Sequence, residues 1–278
     1  MLYLILAIMS SAMVSIVMRM SEKRVHGNVG MLAVNYVMCT LLAGNYVGAG
    51  NLFPNEEGMS LTVLLGIING IFYLLGFVYL QISVKKNGVV LSATFMKLGL
   101  LVPLVISIVF FGESPEILQV FGFILAIAAI ILINFEKEQA QMKLRVGLIF
   151  LLLIGGFTDV ISKIYEEIGD IRFSEQFLFY TFVVALVLCV MLVVYKKERM
   201  DKYTVLYGLL IGIPNYFSAS FLLKALNDIA AVIVFPTFSV ATVVVISMTG
   251  LLVFKEKLGK KQWIGMGLIL IALVLLNI

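Results

Sequence analysis

Long apolar runs alternate along this chain with short polar breaks at nearly regular intervals. Apolar stretches cover residues 1–18 and about 30–48, 61–81, 89–111 and 117–135. Five more follow at about 146–164, 176–195, 203–223, 229–253 and 262–278. Each has roughly the 17–25 residues that an α-helix needs to cross a hydrocarbon core about 30 Å thick. The runs are continuously apolar and do not alternate over about ten residues, so the pattern predicts helices and not barrel strands. A helix also satisfies its own backbone hydrogen bonds, which lipid cannot do. Ten transmembrane helices are therefore expected. The first run starts Met1-Leu2-Tyr3 without a basic leader, and Arg19, Lys23 and Arg24 follow it, so it reads as a membrane helix and not as a cleaved signal.

The second five runs repeat the first five. Shifted back by 143 positions without a gap, Phe254, Glu256, Gln262, Gly265 and Asn277 fall on Phe111, Glu113, Gln119, Gly122 and Asn134. Upstream, Tyr216 pairs with Tyr73, Thr237 with Thr94 and Phe238 with Phe95. Between Tyr73 and Asn134 there are 14 identities in 62 aligned positions. Apolar matches come cheaply in such a chain, so the polar and glycine matches carry the weight. A period this long means two homologous halves and not a solenoid. The expected domains are a first repeat over 1–136, a linker over 137–145 and a second repeat over 146–278. Five crossings per repeat is an odd number, so the second repeat enters the membrane from the opposite side and the copies are inverted. The fold class is an all-α membrane protein built as two inverted five-helix repeats.

Composition narrows the classes further. Hydrophobic residues make up 62% and charged residues 13%, against about 25% charged in soluble domains. The net charge of +4 is confined to short loops, which argues against a nucleic-acid partner and for a lipid bilayer. Sixteen of the twenty Lys and Arg residues lie in the odd-numbered loops, against Lys163, Arg172 and Lys224 in the even ones and Lys97 inside a helix. The positive-inside rule then places the odd loops in the cytoplasm and both termini outside the cell membrane. Cys39 and Cys189 each sit in an apolar run and read as small buried hydrophobes.

Inverted halves, each with an aromatic-x-Glu turn after its fourth helix (Phe111-Gly112-Glu113, Phe254-Lys255-Glu256) and a Gln and Gly at the start of its fifth, resemble the drug/metabolite transporter superfamily. The likeness is closest to its EamA-type ten-helix members and covers nearly the whole chain. The stretches Tyr3–Ile8 and Met18–Glu22 also look like the first helix of the small multidrug-resistance relatives. The resemblance implies alternating access, a substrate held near the midplane between the halves, and a cavity flanked by helices 3 and 8. Three features depart from the family's habit. Its members usually keep their termini in the cytoplasm. The arginine often found in the second helix is absent, with Asn35-Tyr36 in that region. The membrane glutamate of the small multidrug relatives has no counterpart in the first helix.

Ionisable groups at depth cost about 2.5–3.5 kcal/mol on insertion scales and usually face an aqueous path or a partner. Lys97 lies about eight residues into the fourth helix, roughly 12 Å from its start, and is the candidate anchor for a substrate carboxylate or phosphate. Asp159 lies at a similar depth in the sixth helix, with Lys163 one turn on, and is the candidate proton-coupling carboxylate. Structural accounts stand beside both: Lys97 neutralised by Asp159 or by carbonyls, and Asp159 paired with Lys163. Tyr73 and Tyr216, equivalent in the repeat, and Asn35, Asn69 and Asn215 complete the candidate substrate site. For any one asparagine, helix-to-helix hydrogen bonding is the plainer account. Pro103, Pro214 and Pro236 are expected to break helical hydrogen bonds, and broken helices point to transporter sites.

The resulting expectation is a secondary active transporter of a small polar metabolite, with an amino acid or other carboxylate as the leading class. Its energy would come from ion coupling, with a proton as the candidate ion, or from exchange. A multidrug or organic-cation exporter is the alternative, and a membrane-embedded transferase or a channel ranks below it. No metal, cofactor or nucleotide motif is expected, and the sequence does not fix whether the chain works as a monomer or a dimer. The charge bias makes the orientation testable. A C-terminal alkaline phosphatase fusion should be active and a C-terminal green fluorescent protein dark; a bright fluorescent fusion would reverse the assignment.

Overall fold

In the computed structural model, residues 1–21, 24–25, 27–54, 56–87, 95–96, 98–134, 145–253 and 260–276 are described. Among them the fold is all helical. The ten α-helices are α1 Leu2–Ser21, α2 Asn28–Val47, α3 Met59–Asn87, α4 Leu101–Phe110, α5 Ile117–Asn134, α6 Arg145–Ile168, α7 Ser174–Lys196, α8 Lys202–Asp228, α9 Ala231–Leu252 and α10 Lys260–Leu276. Short 3₁₀ turns lie at Ala49–Asn51, Leu98–Leu100 and Ile171–Phe173. Seven of the helices are long and apolar enough to cross a membrane, and the segments Leu98–Phe110, Ile117–Leu132 and Trp263–Leu276 are shorter apolar helices. Their outer faces carry exposed Leu, Ile, Val and Met side chains such as Ile5, Met9, Leu64, Val194 and Ile271, the inverse of a water-soluble surface.

Two local features follow from residue type. Gly112, at φ +68°, turns the chain just past α4, and the N–H groups of Phe111 and Glu113 both return to the Ser107 carbonyl, as a glycine past a helix end allows. The recurring glutamine of the fifth helix has a capping role: Gln119 Oε1 accepts the Glu116 N–H at 3.0 Å, satisfying a donor at the start of α5. In the run expected to span 89–111, residues 89–94 and 97 lie outside the described residues; Leu98–Leu100 form a 3₁₀ turn leading directly into α4, and Pro103 is the third residue of α4. In a first turn the missing N–H of proline costs little, so Pro103 does not interrupt this helix. Pro214 and Pro236 do lie inside α8 and α9.

The chain forms two compact units, Met1–Leu74 with Ile164–Asn227 and Leu75–Lys163 with Asp228–Ile278. Each takes elements from both halves of the sequence. In the first unit α2 packs on α7, the second helix of each half. Gly44 lies by Phe179, Tyr36 by Phe182 and Val29 by Cys189, so the two helices run in opposite directions. In the second unit α5 packs on α10, the fifth helix of each half. Gly122, early in α5, meets Ala272, Leu275 and Leu276 at the end of α10, again with opposed polarity. Equivalent helices lying side by side in opposite directions are the mark of an inverted repeat.

Glycine makes these contacts close. Gly66 and Gly70 of α3 face α7, where an added Cβ would strike the Tyr180 side chain or the Thr181 carbonyl. Gly208 and Gly212 of α8 face α2, where it would strike Val34, Met38 or the carbonyls of Met31 and Asn35. The two pairs lie within one residue of equivalence under the 143-residue period. Lipid provides no hydrophobic drive between helices, so close backbone approach through small residues does the holding. The second unit's core uses the same device with alanine: Ala126, Ala129 and Ala272 are fully buried among Leu98, Leu100, Ile130, Val240 and Ile269.

Gly70→Ala and Gly212→Ala should each cost about 1–3 kcal/mol through overpacking. Gly267→Ala, where a Cβ meets nothing within 4 Å, should stay within about 0.5 kcal/mol of the parent. Unfolding titrations in detergent measure all three, and equal effects at the three positions would contradict the packing described.

Candidate functional site

Unit one holds five of the seven residues singled out from the sequence. Phe182 of α7 meets both Tyr73 of α3 and Tyr216 of α8, with ring centroids 5.9 Å from Tyr73 and 6.3 Å from Tyr216. Tyr36 of α2 closes a trio with Tyr73 and Phe182 at 6.5 and 6.4 Å. On its other side Tyr216 stacks on Tyr46 at 5.6 Å and meets Phe217 at 5.3 Å. Phe217 leads on to Phe221 and Tyr3. An unbroken series of rings therefore runs through the unit, offering both ring faces and phenolic hydroxyls.

The three asparagines bond across helix seams. Asn215 Nδ2 donates to Asn35 Oδ1 at 3.1 Å, joining α8 to α2. Cys39 donates its thiol to the Gly212 carbonyl at 3.3 Å beside them. Asn69 Nδ2 donates to Thr181 Oγ1 at 3.3 Å, joining α3 to α7. Thr181 in turn donates to the Phe177 carbonyl, which leaves it no proton for the other end of the amide. Asn69 is 1% exposed, and its Oδ1 is buried with no protein hydrogen-bond partner. Asp159 lies half-buried on α6 in the second unit. Lys97 lies outside the described residues.

Two carboxylates that sequence reasoning did not place in the site organise the polar chemistry of the two units. In unit one Glu175, in the first turn of α7, accepts the Tyr216 hydroxyl at 2.6 Å and the Ser220 hydroxyl at 3.3 Å, and pairs with Lys224 Nζ at 3.2 Å. The spacing Tyr216, Ser220, Lys224 was the available signal, since residues four apart share a helix face. The acceptor, however, comes from a different helix, which no local spacing reveals.

In unit two Glu113, of the recurring aromatic-x-Glu turn, pairs with Lys163 Nζ at 2.9 Å and accepts the N–H groups of Ala231 and Val232 at 3.1 and 2.8 Å. Those N–H groups open α9, so the carboxylate caps a helix start and lies at the positive end of its dipole. Lys163 is 3% exposed, and its ammonium also lies 5.6 Å from the centre of the Phe111 ring. Both the aromatic and the acid of the motif thus contact one lysine. The geometry adds Glu113 to the partners considered for Lys163, for which sequence had offered only Asp159.

A family model described as "EamA-like transporter family" matches residues 1–135 and again 145–278. An uncharacterized protein of Haemophilus influenzae is 25% identical over 283 residues, covering 94% of this chain and 92% of its own length. A solved crystal structure of a protein superposes with a TM-score of 0.78 at 13% identity, covering 99% of this chain and 94% of that one. At that identity the likeness speaks for the fold.

Breaking a buried ion pair by removing one partner costs about 3–5 kcal/mol, because the other charge is left uncompensated. Lys163→Met should approach that figure, Glu113→Gln should cost less because an amide oxygen still accepts an N–H of α9, and the double variant should recover part of the loss. A double-mutant cycle on unfolding in detergent with a coupling below about 0.5 kcal/mol would show the two residues to be independent.

Proposed function

Starting from the fact that this chain belongs to the EamA-like transporter family, we propose that it is a secondary active transporter of a small polar metabolite, an amino acid or other carboxylate, working by alternating access with ion coupling or exchange. That it is a multi-pass membrane transporter, and not an enzyme, follows from the family itself. Substrate class and coupling are the proposal.

One observation carries the proposal: a buried amide in unit one, that of Asn69, keeps an acceptor that the protein does not use, within a turn of Tyr73 and the ring trio. Leaving a buried polar group unpaired costs about 1–3 kcal/mol, a cost tolerated where a ligand supplies the partner. In this reading Asn69, Asn35, Asn215, Tyr73 and Tyr216 contact the substrate, and Lys97 anchors its carboxylate. Asp159 carries the coupled proton. The loops rich in Lys and Arg face the cytoplasm and both termini lie outside, which the charge bias supports. Organic-cation efflux is the second reading, favoured by the same ring series, since aromatic faces attract cations.

Flux in proteoliposomes tests the assignment. Lys97→Ala and Asp159→Asn should each lower carboxylate flux by at least about tenfold, equivalent to about 1.4 kcal/mol of lost stabilisation. Asn69→Leu should impair flux while preserving the unfolding midpoint. Full transport by both charge variants would remove Lys97 and Asp159 from the site.

A further inference from the structure

Three donors on one face of α8 converge on a single carboxylate of α7. Tyr216, Ser220 and Lys224 recur every four residues, and their two hydroxyls and one ammonium all reach Glu175 at 2.6–3.3 Å. Two hydroxyls and an ammonium are what proteins present to anions, and here the anion is the protein's own side chain. Unlike the sealed pair in unit two, this one is reachable: the Glu175 side chain is 22% exposed and that of Lys224 39%. Glu175 follows directly on the polar loop 169–173, and Lys224 lies four residues before the end of α8. Both therefore sit at helix ends. Behind them Tyr216 stacks on Tyr46 and begins the run of rings toward Phe182 and Tyr73.

We infer that the Tyr216, Ser220 and Lys224 stripe is a carboxylate-binding station for the transported anion, and that Glu175 is its internal competitor, which takes up one proton when a substrate carboxylate replaces it. The exchange is balanced: Glu175 gains a proton, the stripe gains one carboxylate, and Lys224 keeps an anionic partner throughout. One proton enters this station with each anion, beside the coupled proton assigned to Asp159. The charged and titratable groups facing Glu175 are Lys224 and Tyr216 from α8, with Tyr46 of α2 stacked behind Tyr216. In the preceding loop Asp170 and Arg172 pair with each other. The inference rests on the transport proposal above and adds a second anchor to Lys97. By linkage, uptake of one proton with each anion makes apparent anion affinity fall by up to about tenfold per pH unit as pH rises.

Thermal melts of the purified chain in detergent test the station, since a ligand that binds only the native state raises the melting temperature. The probes are hippurate as an aromatic carboxylate, its methyl ester as the neutral match and benzylamine as the cation. Hippurate should stabilise the wild type more at about pH 5 than at about pH 8, because proton uptake accompanies its binding; the ester and the amine should not. Glu175→Gln should bind hippurate with the pH dependence lost. Lys224→Met should abolish the shift and Lys224→Arg restore it. Stabilisation by benzylamine instead, no effect of hippurate on the wild type, or an unchanged pH dependence in Glu175→Gln would each overturn the inference. Hippurate flux into proteoliposomes separates the two levels. Wild-type protein that binds hippurate yet passes none keeps the station and loses the transport proposal. Flux whose proton dependence is unchanged in Glu175→Gln does the reverse.

Discussion

Close backbone approach between helices is the constraint on which the rest of this structure depends. Among lipid tails an apolar side chain gains little by leaving one apolar neighbour for another, so helices adhere through contact area and the few hydrogen bonds that fit between them. Gly66 and Gly70 bring α3 onto α7, and Gly208 and Gly212 bring α8 onto α2. The glycine pairs lie within one residue of equivalence under the 143-residue period, and each seam sets the third helix of one half on the second helix of the other. Asn69 bonds to Thr181 across one and Asn215 bonds to Asn35 across the other. The first is buried and the second part-buried, each on the helix whose glycines allow the close approach.

The packing of equivalent helices gives the duplication its physical meaning. A helix that packs against its own repeat equivalent in the opposite direction needs a surface complementary to a copy of itself, as a two-fold interface does. The α2 and α7 pair meets this in unit one, and the α5 and α10 pair meets it in unit two. Gly122, one of the residues that recurs at the 143-residue offset, lies where an added Cβ would meet Leu275 and the Ala272 carbonyl of α10. Recurrence there reflects packing.

The two carboxylates described here show how burial separates structural from exchangeable charge. Glu113 has a lysine that is 3% exposed and two N–H groups opening a helix. Removing either charge strands the other in a low-dielectric interior. Glu175 has one lysine and two hydroxyls, all from one helix face, with a lysine 39% exposed. Tyr216 and Ser220 are themselves buried, so it is the exposed Lys224 end that makes Glu175 the exchangeable carboxylate of the inference above, where Glu113 is a fixed brace.

Much of the architecture is legible in the chain itself. Run length and continuous apolarity predict helices, and the 143-residue offset together with an odd number of runs predicts inverted copies, because these depend only on local composition and counting. The same reasoning placed Tyr73, Tyr216 and the asparagines in the polar interior but could not say which bonded to which. The Phe182 ring against both tyrosines, the Glu175 carboxylate over its donor stripe and the Glu113 cap on α9 all join separate helices. Such pairings depend on which helix faces meet, so only the tertiary structure decides them. Helix number and inversion were determined by the sequence alone, through the thickness of a bilayer; the partners of its buried charges were decided by the seams.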